Sequence, residues 1–145
     1  MNHSNSVSNL ILYVEDEAVQ SKIFSKIIEN EVASANCKVI IFDNGGEFIK
    51  LVNGQHSKYH IEQFAVILLD LSIHDYSGLT LLKEAQAKSI TTPPIAVLSA
   101  REDNSTKLST LELGAKDYFV KGKNYQELER LREFILKWVR KVIPS

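Results

Sequence analysis

The sequence has little cysteine, no excess of charge of one sign and no long apolar run, and each absence excludes a class of protein. Its 145 residues include one cysteine, Cys37, which excludes an internal disulfide and a cysteine-rich zinc site and is interpreted as a small buried hydrophobe. Lysine and arginine number 17 against 18 aspartate and glutamate, for a net charge of −1. The basic excess needed for nonspecific nucleic-acid binding is therefore missing, and we expect no direct contact with nucleic acid.

The apolar runs are also too short for a membrane span. The longest, 64–69, falls far below the roughly 18 residues that suggest a spanning helix. The first six residues are polar and show no basic region followed by an apolar stretch, so they do not resemble a secretory signal. We expect a cytoplasmic protein that makes no membrane contact. Its length is that of one compact domain, assigned to residues 9–143 after a flexible tail at 1–8.

Short apolar runs rich in β-branched residues alternate with segments of helical period, which is typical of β-α units around a parallel sheet. Five strands are predicted, at 10–14, 38–42, 64–69, 95–98 and 117–120. The third is apolar on both faces, as expected for a buried central strand. The predicted fold class is α/β, a doubly wound five-stranded parallel sheet of order 2-1-3-4-5 flanked by five helices.

The helices are predicted from apolar residues spaced three and four apart. Their predicted core residues are Ile23, Ile27 and Ile28; Phe48, Leu51 and Val52; Leu79, Leu82 and Ala85; Leu108 and Leu111; and Leu128, Leu131, Ile135, Trp138 and Val142. Gly114 stands where the fourth helix would end. Phe134, Leu136 and Val139 widen the apolar arc of the last helix, so we expect some of them to contact a partner.

Polar residues follow four of the five predicted strands. Glu15 and Asp16 follow the first, Asp70 the third, Ser99 the fourth and Lys121 the fifth. Ligands of open α/β sheets bind outside the carboxyl ends of the strands, and the first and third strands are neighbours in the predicted order. The three acids would then converge, and a divalent cation such as Mg²⁺ would offset their repulsion.

Taken singly, these residues have simpler explanations. The acids at 15–17 are more often helix caps than metal ligands. Ser99 alone suits a turn, Lys121 alone is usually solvated, and His74 is a lone loop histidine. Asp70 could form a turn, although an unpaired charge beside the core is costly. Their joint placement favours a site.

Four segments, in this order and spacing, resemble the receiver domain of two-component response regulators. They are Ile-Leu-Tyr-Val-Glu-Asp-Glu at 11–17, Val-Ile-Leu-Leu-Asp-Leu at 66–71 with Ser-Gly-Leu at 77–79, Val-Leu-Ser-Ala at 97–100, and Gly-Ala-Lys-Asp-Tyr-Phe-Val-Lys at 114–121. The resemblance implies a flavodoxin-like fold in which Asp70 is the phosphoacceptor. It also implies that Glu15, Asp16, Asp70 and the backbone carbonyl of Ser72 hold Mg²⁺ or Mn²⁺.

The resemblance implies roles for the remaining residues of the pocket. Lys121 would bind the phosphoryl group, and Ser99 would be the switch hydroxyl. The rotamer of Tyr118 would follow Ser99. Three residues would flank the phosphoryl group: Ser72, Ala100 and Arg101.

Three residues depart from the family pattern. Glu15 stands where the shorter aspartate is commoner. His74 and Gly122 stand where proline is usual, and glycine after Lys121 would leave that lysine less firmly placed.

The function implied is a signalling switch and not an enzyme. A histidine kinase or histidine phosphotransfer protein would supply the phosphoryl group. The fourth helix, fifth strand and fifth helix would form the face that controls an output domain or effector. The same face could pair in a homodimer. A receiver-like interaction module that uses no phosphate is the alternative. A Mg²⁺-dependent aspartyl-phosphate phosphatase of the haloacid dehalogenase type fits less well, because that family has a second aspartate where this chain has Ser72. The sequence leaves open whether the chain is a stand-alone regulator or part of a longer protein.

Overall fold

The computed structural model describes residues 10–73, 75–90 and 93–142. The predicted tail at 1–8, His74 and the side chain of Val142 lie outside this description. The strands and helices, in chain order, are β1 Leu10–Val14, α1 Ala18–Glu31, β2 Lys38–Phe42, α2 Gly45–Val52, β3 Phe64–Asp70, α3 Gly78–Ala87, β4 Ile95–Ser99, α4 Asn104–Glu112, β5 Asp117–Val120 and α5 Tyr125–Val142.

The five strands form one parallel sheet in the order β2-β1-β3-β4-β5, as predicted. Two strands run one residue longer than expected, because the ladder pairs Asp70 with Leu98 and Ser99 with Val120. The candidate phosphoacceptor and switch hydroxyl therefore belong to the sheet itself. Their backbones are fixed by strand pairing and not by a loop.

Alternate residues of the strands face two separate cores. Leu12 and Val14 of β1 belong to the core that includes α2 and α3, whereas Ile11 and Tyr13 belong to the core that includes α1 and α5. This period of two places every second strand residue on the same side of the sheet. No helix within the described part of the chain is long and apolar enough to cross a bilayer.

The predicted core face of α1 is wrong for two of its three isoleucines. Ile23 is 57% exposed and Ile27 is 37% exposed, while Ile28 is buried. The buried line instead includes Ser21 and Ser25, whose hydroxyls donate to the carbonyl oxygens of Ala18 and Lys22 at 3.0 Å each. Small side chains that satisfy their own hydroxyls within the helix can lie against the sheet, which leaves the isoleucines on the outer face.

Two other helices depart from the predicted pattern. In α4, Leu108 is exposed and Leu111 is only partly buried, while the buried residue is Thr110, whose hydroxyl donates to the Lys107 carbonyl at 2.9 Å. In α5, Leu136 and Val139 are buried in the same core as Ile11. The expectation that the wider apolar arc of α5 meets a partner is therefore wrong for these two residues. Phe134 is partly buried and packs edge-on against Phe119.

Candidate phosphoacceptor site

Most of the predicted site residues line one pocket of about 280 Å³ at the carboxyl edge of the sheet. Its lining residues are Glu15, Asp16, Glu17, Gln20, Asp70, Ser72, Ala100 and Lys121. Glu15 and Asp70 come from adjacent strands, and Lys121 reaches them from the far edge of the sheet. The backbone of Lys121 is fixed by its amide, which donates to the Ser99 carbonyl at 2.8 Å.

The ammonium group of Lys121 joins the two buried acids. Its Nζ donates to Asp70 Oδ2 at 2.6 Å, to Glu15 Oε1 at 2.7 Å and to Gln20 Oε1 at 3.1 Å. A lysine ammonium has three N–H groups, so each of them has an acceptor. Glu15 and Asp70 are each 3% exposed, and such buried carboxylates need a cationic partner of this kind.

The electrostatics of the pocket follow from this crowding. Burial raises the pKa of Glu15, and the neighbouring Asp70 carboxyl raises it further, against the opposing effect of Lys121. Burial lowers the pKa of Lys121, but its hydrogen bonds to Asp70 and Glu15 outweigh burial and raise it above the usual value. The lysine therefore stays charged, and the pocket holds acids whose repulsion is only partly relieved.

Asp70 is oriented at both of its oxygen atoms. Oδ1 accepts a hydrogen bond from the Ser72 amide at 2.6 Å, while Oδ2 faces Lys121. The carboxylate is thus held at the edge of the pocket by the amide of Ser72, two residues later in the chain, and by Lys121, the residue after β5. A carboxylate held beside a lysine and open to a pocket can act as a nucleophile toward an anionic group.

The oxygen donors suit a hard divalent cation. Glu15, Asp16 and Asp70 line the same pocket as Ser72, and carboxylate and carbonyl oxygens are the ligands that Mg²⁺ and Mn²⁺ prefer. Within the described ranges, no three acidic, histidine or cysteine side chains already form a metal-binding group. The buried pair Glu15 and Asp70 shares the Lys121 ammonium instead. The chemistry of the donor set therefore fits the implied cation.

Ser99 and Tyr118 both hold the backbone of Arg101. The Ser99 hydroxyl accepts from the Arg101 amide at 3.1 Å, and the Tyr118 hydroxyl donates to the Arg101 carbonyl at 2.7 Å. Both side chains are buried. The loop between β4 and α4 is therefore tied to the Ser99 hydroxyl on one side and to the tyrosine of β5 on the other.

The residues predicted to flank the phosphoryl group separate into two kinds. Ser72 and Ala100 line the pocket. The exposed guanidinium of Arg101 pairs instead with Asp103, the N-cap of α4, at 3.0 Å. Its backbone, and not its charge, is what the structure places next to Ser99.

The capping interpretation of the acids at 15–17 is confirmed for Glu17. It is the N-cap of α1, and its side chain accepts from the Gln20 amide at 3.0 Å. Gly122 has φ +71°, in the left-handed region where proline, whose φ is near −65°, does not fit. The backbone after Lys121 therefore favours glycine here and excludes proline.

Two residues that touch the site were not predicted as members of it. The buried Tyr13 hydroxyl donates to Glu15 Oε1 at 3.1 Å, and Gln20 accepts from Lys121. The period of the strand puts Tyr13 on the same side as Glu15, and Gln20 lies in the first turn of α1, three residues after its N-cap Glu17. These two spacings were the available signals.

Comparison with known proteins agrees with this geometry. Residues 11–132 match the family described as response regulator receiver domain. The transcriptional regulatory protein CiaR of Streptococcus pneumoniae is 30% identical over 113 residues, covering 77% of this chain and 50% of CiaR. CrdR of Helicobacter pylori, a transcriptional regulatory protein, is 29% identical over 131 residues, covering 88% of this chain and 61% of CrdR. The chain thus spans about half the length of the curated relatives it matches.

Solved structures share the fold. A two-component response regulator from Legionella pneumophila superposes with a TM-score of 0.71 at 26% identity, covering 88% of this chain and 97% of that one. The Mn²⁺-bound form of the response regulator Rcp1 superposes with a TM-score of 0.68 at 23% identity, covering 94% and 99%. The match over residues 11–132, together with the strand order and the pocket, establishes that this chain belongs to the receiver-domain family of two-component response regulators.

Proposed function

We propose that this receiver domain accepts a phosphoryl group on Asp70 and so switches the control of an output. The observation that supports the proposal is that two hydrogen bonds orient the Asp70 carboxylate at the edge of an open pocket. One comes from Lys121 at 2.6 Å and the other from the Ser72 amide at 2.6 Å. The phosphodonor is a histidine kinase or a histidine phosphotransfer protein acting in the cytoplasm. The chain acts as a switch and not as an enzyme with a separate substrate.

The transfer is an in-line displacement at phosphorus. A carboxylate oxygen of Asp70 forms a bond to phosphorus while the bond from phosphorus to the donor's histidine nitrogen breaks, and the electron pair stays on that nitrogen. Lys121 offsets charge on the transferring oxygens. Glu15, Asp16, Asp70 and the Ser72 carbonyl are the ligands for Mg²⁺ or Mn²⁺, which when bound offsets the rest of that charge. Rcp1, which shares the fold, has been solved in a Mn²⁺-bound form.

The switch uses the loop between β4 and α4. A phosphoryl oxygen on Asp70 gives the Ser99 hydroxyl an acceptor that is absent before phosphorylation. Ser99 and Tyr118 both bind the backbone of Arg101, so a shift at Ser99 moves the Arg101 carbonyl to which the Tyr118 hydroxyl donates. The face formed by α4, β5 and α5 then carries the signal to an output domain or effector, and it is also the proposed face of a homodimer.

Incubation with Mg²⁺ and acetyl phosphate, followed by intact mass measurement, tests the function. A protein that gains one phosphoryl mass supports the proposal, and Asp70→Asn should abolish the gain without unfolding the chain. Asp43→Asn, in the loop between β2 and α2, is the matched control and should label like wild type. Continuous release of phosphate without an adduct would point to a phosphatase, and no reaction would point to an interaction module.

A further inference from the structure

The ion pair between Glu15 and Lys121 is held at both ends by residues to which the family resemblance assigned no role, Tyr13 and Gln20. Glu15 Oε1 accepts from the Tyr13 hydroxyl at 3.1 Å and from Lys121 at 2.7 Å, and Lys121 also donates to Gln20 Oε1 at 3.1 Å. The four side chains form one continuous run of hydrogen bonds, from the core under β1 to the first turn of α1. Asp70 is connected to this run through Lys121.

Tyr13 is the buried anchor of the run. Its side chain is fully buried in the core that includes α1 and α5, and its ring lies 5.6 Å from that of Phe24. The hydroxyl therefore has little freedom to move. The second oxygen of Glu15 accepts from the Glu17 amide at 3.2 Å, so Tyr13 and Glu17 together fix how the carboxylate is turned.

Gln20 anchors the other end. Its backbone amide donates to the Glu17 carboxylate at 3.0 Å, which fixes Gln20 in the first turn of α1. From there its side-chain oxygen reaches the ammonium of Lys121. A neutral acceptor at this point holds the lysine without competing for its charge, which remains available to Asp70 and to a phosphoryl group.

The departures from the family pattern explain why anchors are needed. A glutamate at position 15 has one more rotatable bond than an aspartate, and Lys121 has a flexible four-carbon stem that is followed by Gly122. Holding both side chains in one geometry costs more conformational entropy than holding shorter or stiffer ones. Hydrogen bonds at both ends offset that cost.

We propose that Tyr13 and Gln20 are positioning residues that fix the Glu15–Lys121 pair for phosphoryl transfer to Asp70. This inference rests on the proposed function. When the Asp70 oxygen bonds to phosphorus, Lys121 keeps its contacts with Glu15 and Gln20 and turns its third N–H to a phosphoryl oxygen. The two residues act only through the pair and do not touch the transferring group.

The test uses Tyr13→Phe and Gln20→Leu, singly and together. Tyr13→Phe removes only a hydroxyl and leaves the buried ring in place, and Gln20 is exposed, so each variant keeps its core. The matched controls are Tyr59→Phe, whose ring packs against Phe64 on the opposite side of the sheet, and Gln86→Leu on the exposed surface of α3.

Two readouts are measured. The first is the rate of adduct formation with acetyl phosphate at saturating Mg²⁺, which we expect each single change to lower about fivefold to tenfold, as for the loss of one ordinary hydrogen bond. The double variant should lose less than the product of the single losses, because both changes act on one pair. The second is the hydrogen-exchange rate of the Lys121 ammonium in NMR spectra, which should rise several-fold in both variants and in neither control.

The outcomes separate this inference from the function it rests on. If wild type labels and the variants match their controls in both readouts, the positioning role is wrong while the function stands. A lower melting temperature with unchanged rates of adduct formation and ammonium exchange would also overturn the positioning role. If wild type does not label but ammonium exchange still rises in the variants, the function is wrong and the two residues do position the pair.

Discussion

Asp75, in the segment that follows the candidate phosphoacceptor, accepts hydrogen bonds from the Gly45 amide at 2.8 Å and from the Gly46 amide at 3.0 Å. A Cβ at Gly45 would lie 3.0 Å from the Cβ of Tyr76, so glycine permits this close approach. Asn44 binds the next amide, that of Glu47, at 2.9 Å. Two side chains therefore satisfy three of the free amides at the start of the short helix α2.

Removing this contact should weaken the fold. Asp75→Ala is expected to lower the free energy of unfolding by about 1 kcal/mol, as for the loss of a helix cap. Urea titration followed by circular dichroism measures it. Glu112→Ala removes an equal charge at an exposed position of α4, away from these amides, and an equal loss in that variant would show that the Asp75 contacts are not responsible.

The same contact should make stability depend on pH. Partial burial raises the pKa of Asp75, but hydrogen bonds from the amides of Gly45, Gly46 and Tyr76 outweigh burial and hold it below its usual value. The stabilisation is therefore complete above the unfolded pKa, about 3.9, and is lost as pH falls through the lower folded pKa. The difference in unfolding free energy between wild type and Asp75→Asn should be constant from pH 7 to 5 and should shrink below about pH 4. A difference that grows in acid would contradict this sign.

Mutation of Asp16 should lower Mg²⁺ affinity, whereas mutation of its neighbour Glu17 should lower stability. Asp16→Ala should abolish most Mg²⁺ binding, since Asp16 is a proposed ligand; Glu17 lines the same pocket, but its carboxylate is engaged by the Gln20 amide. Glu17→Ala should lose about 1 kcal/mol of stability, since Glu17 caps the helix, and should keep most of its Mg²⁺ affinity. Calorimetric titration and thermal unfolding measure the two effects. A greater loss of Mg²⁺ affinity in Glu17→Ala would contradict the proposed ligand set.

The Tyr118 hydroxyl should transmit the phosphoryl signal. With beryllofluoride as a mimic of the phosphoryl group, amide exchange should change at 99–113 and 118–139. Tyr118→Phe breaks the bond to the Arg101 carbonyl and should reduce the change beyond the loop, while Asp70 still binds the mimic. Tyr125→Phe, at an exposed tyrosine, is the control. Changes confined to Asp70 and its own loop in wild type would exclude this route.

The faces of α1 can be tested by a pair of isoleucines. Ile28→Ala should cost about 2–5 kcal/mol, because it leaves a cavity in the core. Ile23→Ser on the exposed face should change stability by about 0.5 kcal/mol or less. Chemical unfolding of the two variants measures both, and similar losses would show that α1 is turned differently.

The sheet could be predicted because its information is local. The central strand at Phe64–Asp70 is apolar on both faces, and each of the five strands lies where its β-branched run predicted it. The order of the strands then places Asp70 beside Glu15. The helix faces were harder to predict, because apolar spacing marks two possible stripes on α1 and does not say which one the sheet covers. Ser21 and Ser25 lie against the sheet because they are small and because their hydroxyls donate to carbonyl oxygens of the same helix.

The sequence by itself determined the family, the parallel sheet and the position of Glu15, Asp16, Asp70, Ser99 and Lys121 at the strand ends, because each strand end is defined by its own segment. Only the tertiary structure decided what those residues touch. Gln20 and Asp75 contribute through contacts between segments far apart in the chain, which are the 3.1 Å contact of Gln20 with Lys121 and the 2.8 Å contact of Asp75 with Gly45. Such contacts depend on the distance between packed elements, and no local pattern of residues encodes that distance.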